Sequence, residues 1–138
     1  MRIEQTENFE EMLDNKDVDA IYVATPHALH FYYAKRALER KIPVLCEKSL
    51  TLGLESTQEL FKIAEANDTY LAEAMWTWFN PTARKVRDWY NEGKIGKCLG
   101  FSGKFSVPTA FIGRKKRLFD PSLGGGSLLD LGVYQVTY

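Results

Sequence analysis

The feature that most constrains this chain is a switch of hydrophobic period, repeated twice within its first 75 residues. DAIYVAT at 19–25 is short, β-branched and aromatic, and apolar on both parities, which predicts a strand covered on both faces. Residues 28–40 then place Leu29, Tyr32, Tyr33, Ala37 and Leu38 at helical spacing, until Pro43 ends the pattern. VLCEK at 44–48 reads as a second buried strand. Thr51 is the expected cap of a second helix, with Leu54, Leu60, Phe61 and Ala64 on its apolar face and Asn67-Asp68 at its end. TYLAEAM at 69–75 closes the series as a third strand. Strand, helix, strand, helix, strand predicts an α/β fold with right-handed crossovers and a parallel sheet. The ligand edge of such a sheet lies beyond the carboxyl ends of its strands. Thr25-Pro26-His27, Cys46-Glu47-Lys48 and Glu73 to Trp76 occupy those ends.

The flanking segments follow other rules. Asn8 with Glu11 predicts a capping box for a short helix carrying Phe9, Met12 and Leu13. Asn80-Pro81 is an N-cap followed by proline at the first helical position, opening a helix to about Asn91. Lys97 to Val107 alternates loosely and is expected to be an antiparallel strand. Irregular sequence follows, with a basic run Arg114-Lys115-Lys116-Arg117 that reads as a solvated loop. Gly124-Gly125-Gly126 opens SLLDLGVYQVTY, a helical pattern with Leu128, Leu131 and Gln135 on one side and Asp130 and Tyr134 on another. Glycines there offer close backbone approach and a helix N-terminus, a place for an anion or a sugar oxygen.

Composition excludes several classes. Eighteen basic and eighteen acidic residues cancel, so no global field favours a nucleic acid or an anionic membrane. The apolar residues, 45% of the chain, are spread out, and no run is long enough for a spanning helix. The first residues lack the apolar core of a signal peptide. Cys46 and Cys98 form no CxxC and read as reduced thiols of a cytoplasmic protein. His27, His30 and Cys46 lack the spacing of a zinc site, and no metal is expected. No G-x-G-x-x-G follows a first strand, and the chain reads as the middle of a larger protein.

At ATPHALH, CEKSL, EAMWTWFNP and GGGSLLDLGVYQ the sequence resembles the Gfo/Idh/MocA family of NAD(P)-dependent oxidoreductases. The resemblance is to the branch of dihydrodiol dehydrogenases, glucose–fructose oxidoreductases and xylose dehydrogenases, and covers nearly the whole chain. It implies a partial Rossmann-type parallel sheet over residues 1–95 and, over 96–138, the start of an α+β domain with an antiparallel sheet.

The resemblance also implies roles. Lys48 matches the lysine of an E-K-P motif between nicotinamide and substrate, with Ser49 where proline is usual. Tyr134 matches the acid/base and Asp130 the residue that contacts substrate hydroxyls. A phenol is a poor base at neutral pH unless a cation such as Lys48 stabilises its charged form. Thr25, Pro26 and His27 match the loop past the cofactor's ribose and phosphates, and Glu47 the residue beside the nicotinamide ribose. Trp76 either stacks on nicotinamide or sugar or, like Trp78, packs at an apolar interface. Trp78 stands where the family often has arginine. The implied reaction moves hydride between NAD or NADP and a sugar, polyol or cyclic diol. The alternative is a non-catalytic fragment or assembly module. A lone strand at 97–107 and open sheet edges predict self-association, as a homo-oligomer or with a partner.

Overall fold

Three short strands pair in sequence order. In the computed structural model, which describes residues 5–108 and 116–137, β1 (Ile21–Val23), β2 (Val44–Cys46) and β3 (Leu71–Glu73) form one parallel sheet. Ile21 stands opposite Val44, and Val44 opposite Leu71. Helices α2 (His27–Glu39) and α3 (Leu54–Ala66) make the two crossovers. The chain divides into two compact units, Met1–Glu73 and Ala74–Tyr138.

In the first unit, both crossover helices lie on one face of the sheet. Ile21, Val23, Val44 and Cys46 are buried against Ala34, Ala37, Leu38, Leu60 and Ala64. The other face is open: Tyr22 and Leu45, opposite each other in the ladder, are 57% and 43% exposed. The expectation of a strand covered on both faces is corrected here. Two successive crossovers of the same hand, running in the same direction, stack on the same side.

The helix faces also differ in detail from the sequence pattern. In α2 the buried stripe is His27, His30, Ala34, Ala37 and Leu38, while Leu29 and Tyr32 face outward. Ala34 and Ala37 let the helix backbone approach closely, so the small side chains, not the large ones, mark its inner face. In α3, Leu60 and Ala64 are buried, whereas Leu54 and Phe61, seven apart on a different stripe, are exposed. Gly53, not Thr51, is the N-cap of α3. The Thr51 hydroxyl instead donates to Gly53 O at 2.8 Å and meets Thr57 Oγ1 at 2.7 Å.

Helix α1 (Phe9–Asp14) is capped by Asn8, whose side chain accepts from Glu10 and Glu11 N–H. The capping box is not reciprocal: Glu11 accepts from the Asn8 side-chain amide, and the Asn8 backbone N–H donates to Thr6 Oγ1. Leu13 joins the core, and Phe9 packs edge-on against Tyr33 with ring centres 4.7 Å apart. Glu10 bridges Arg36 at 2.8 Å and Arg40 at 2.6 Å, and Asp14 meets Arg40 at 3.1 Å.

The second unit begins with a 3₁₀ turn, Trp76–Phe79, and helix α4 (Pro81–Asn91). Asn80 caps α4 as expected, accepting from Thr82 and Ala83 N–H. Residues 97–107 are not a strand. Among the described residues no segment offers them a ladder, and alternation alone cannot satisfy a strand's backbone groups. Short helical turns at Lys116–Phe119 and Pro121–Leu123 lead to a π-helical turn, Leu128–Gly132, continued by Val133–Gln135. Arg114 and Lys115 of the basic run lie outside the described residues.

The bonds from Arg36 and Arg40 hold the Glu10 carboxyl below its ordinary value of 4.5. A depressed folded-state value contributes stability above the unfolded value and loses it as pH falls through the folded one. The melting temperature should therefore fall more steeply below about pH 4.5 in the wild type than in Glu10→Gln. Thermal melts across that range check this; identical slopes would remove Glu10 from the acid response.

Candidate active site

Parallel pairing delivers the ends of β1, β2 and β3 to one edge of the first unit. Thr25 and Pro26 leave β1, and Pro26 is the N-cap residue of α2. His27 is buried, its ring edge-on to that of His30. Glu47 and Lys48 leave β2, both half-buried. The Lys48–Ser49 peptide is cis. The Thr25 hydroxyl is buried with no hydrogen-bond partner among the described residues.

Three side chains from three elements hold the turn after β2. From β1, the Tyr22 hydroxyl donates to Glu47 Oε1, while the Lys48 N–H donates to Glu47 Oε2 at 3.2 Å. From α2, His30 Nδ1 lies 2.8 Å from Ser49 O. From β3, Glu73 Oε1 accepts from Leu50 N–H at 2.8 Å. The roles of Tyr22, His30 and Glu73 escaped the sequence reading. Glu73 ends an apolar strand, and His30 follows His27 by three on the buried stripe of α2. Those positions were the available signals.

The second unit holds the other sequence-derived candidates. Trp76 Nε1–H donates to Tyr134 Oη at 3.3 Å, and the two rings sit 5.8 Å apart. The Phe105 ring meets Tyr134 edge-on, also at 5.8 Å. Asp130 lies four residues before Tyr134, inside the π-helical turn. The Trp78 ring is covered by the Arg87 guanidinium at 3.9 Å, and Arg87 also donates to Trp78 O at 2.6 Å.

The glycine triplet works differently from the sequence expectation. Gly124, Gly125 and Gly126 N–H groups donate to Pro121, Asp120 and Leu118 carbonyls at 2.9–3.0 Å. Those donors close the protein's own loop rather than pointing to an external anion. A Cβ at Gly125 would stand 2.7 Å from the Arg117 and Asp120 carbonyl oxygens, so no other residue fits there without backbone movement.

Two groups beside the β2 turn have shifted acidities. The bond to Glu47 pushes the Tyr22 phenol above its ordinary value. Burial, aided by Glu73 and Glu47, pushes the Cys46 thiol up to about 12. Cys46 therefore stays a neutral thiol in the folded chain, while Cys98 is free and exposed. At pH 8 a thiol reagent should modify Cys98 quickly and Cys46 only after denaturant is added, since the thiolate is the nucleophile. Because a raised folded-state value favours the fold only below it, stability should also decline as pH rises above about 9. Rapid modification of both thiols in the native chain would contradict this environment.

Comparison with known proteins places this architecture. A family model described as an oxidoreductase family with an NAD-binding Rossmann fold matches residues 1–74. A second, the GFO/IDH/MocA C-terminal domain, matches residues 83–138. The chain is 34% identical to a D-xylose 1-dehydrogenase (NADP(+)) of Hypocrea jecorina, over 95% of this chain and 35% of that protein. It is 30% identical to a trans-1,2-dihydrobenzene-1,2-diol dehydrogenase of Danio rerio, over 95% of this chain and 38% of the relative. Among solved structures, a 3-ketoreductase from Actinomadura kijaniata in complex with NADP and TDP-benzene superposes with a TM-score of 0.84 at 34% identity, covering 95% of this chain and 40% of that one. The chain thus spans well under half the length of these relatives. The fold is a Rossmann-type α/β arrangement, and the chain belongs to the Gfo/Idh/MocA oxidoreductase family.

Proposed function

We propose that this chain carries the nicotinamide-side turn and the acid–base group of a cytoplasmic NAD(P)-dependent dehydrogenase or reductase. Its substrate class is a sugar, polyol or cyclic diol. The observation that carries the reading is family membership across both halves of the chain, together with Glu47 and Lys48 at the carboxyl edge of a parallel sheet. The curated relatives, a xylose dehydrogenase and a diol dehydrogenase, support it over the assembly-module reading.

The residues present fit the ribose and nicotinamide end of a dinucleotide. The pinned Glu47 carboxylate would accept from ribose hydroxyls, and half-buried Lys48 would supply a cation at the same turn. Thr25, Pro26 and His27 would line the neighbouring loop. A bound NAD(P) would supply the hydride acceptor or donor. Tyr134 Oη then takes the substrate hydroxyl proton during oxidation and returns it during reduction. Lys48 would stabilise negative charge developing on a substrate oxygen. Asp130 accepts from a substrate hydroxyl, and Trp76 holds the phenol through its N–H. Exposed Tyr22 and Leu45 on the open sheet face support self-association.

The test has two arms. Nicotinamide fluorescence should change saturably when NADH or NADPH is titrated into the protein that turns over. In the protein that turns over, Tyr134→Phe should lower kcat by roughly 10² or more with NADPH affinity retained. Near-normal turnover in that variant, or silence towards both NADH and NADPH, would overturn the reading.

A further inference from the structure

His30 has no solvent exposure, yet it is a polar side chain one turn into α2. Its two ring nitrogens reach in opposite directions. Nδ1 lies 2.8 Å from Ser49 O, and Nε2 lies 2.8 Å from Thr25 O. Each carbonyl belongs to a turn that leaves the sheet at the same edge, one after β1 and one after β2. Carbonyl oxygens only accept, so holding both contacts at once takes a proton on each ring nitrogen, whereas a ring with a single N–H donates to one turn only. The rigid imidazole fixes the spacing between the two turns, and a buried carbonyl that loses a donor destabilises the turn that holds it. No step of the proposed reaction uses His30, and an apolar side chain would fill the same space at less desolvation cost.

We propose that His30 is a positioning residue, a strut that sets the turn carrying Glu47 and Lys48 against the turn carrying Thr25 to His27. Its functional meaning rests on the cofactor reading given above; the strut itself does not.

The two contacts can be removed separately. The amide nitrogen of Asn reaches about where Nδ1 lies, and that of Gln about where Nε2 lies. His30→Asn keeps a donor for Ser49 O, and His30→Gln keeps one for Thr25 O. Two backbone amides report the turns: Leu50 N–H, bound to Glu73, and Leu29 N–H, bound to Pro26 O at 2.9 Å. Val44 N–H, bound to Tyr70 O at the opposite end of the sheet, is the control. Native-state hydrogen exchange of the 138-residue chain reads all three.

In His30→Asn, Leu29 should exchange roughly tenfold faster and Leu50 at the wild-type rate. In His30→Gln the pattern should reverse. His30→Phe should accelerate both, with Val44 unchanged. Equal behaviour of Leu29 and Leu50 in the Asn and Gln variants would overturn the strut, as would a parallel acceleration of Val44. The Asn and Gln pair decides the matter if the Phe variant fails to fold. These rates need no dinucleotide, so failure of the strut and failure of the cofactor reading fall in different measurements.

Discussion

Parallel pairing forces consecutive strands to leave the sheet in the same direction, and most of the first unit follows from that one constraint. The return path must cross over the sheet, which here takes a helix each time. Two crossovers of one hand bury one face, and among the described residues nothing covers the other. The same geometry collects the turns after β1 and β2 and the end of β3 at a single edge. The polar side chains there are adjacent because of backbone topology; their separation in sequence is irrelevant.

That edge has a hydrogen-bonding problem, and side chains solve it. Backbone leaving a strand loses its ladder partners, while buried carbonyls and N–H groups still need them. Glu73 accepts from Leu50, and His30 meets Thr25 and Ser49. Tyr22 and the Lys48 N–H fix the Glu47 carboxylate from two sides. The chain's own groups therefore shape the turn, and a preformed turn lowers the ordering cost of any binding.

Much of this was legible in the sequence. The alternation of periods gave the order and sense of the strands, and Asn8 and Asn80 marked two helix starts. Glu47 and Lys48 fell where a strand end places them. Other features were hidden for physical reasons. The inner face of α2 is lined by Ala34 and Ala37, whose small size allows contact with the sheet but gives little hydrophobic signal. Thr51 has the chemistry of a cap, but its hydroxyl is satisfied inside the preceding turn. Residues 97–107 show strand-like alternation, yet pairing is a property of two segments and cannot be read from one. Contacts such as Trp76 with Tyr134 join positions far apart in the chain and have no local signature.

The sequential strand order also bears on how the first unit comes together in time. Val44 pairs with a residue 23 positions earlier, and Leu71 with one 27 positions earlier. Among the described residues no strand waits for a distant partner. Each closure spans one helix and its turns, so the loop entropy lost is modest and similar at both steps. A nascent chain can thus add one strand to an existing edge as each helix emerges, and the sheet grows in the order of its synthesis.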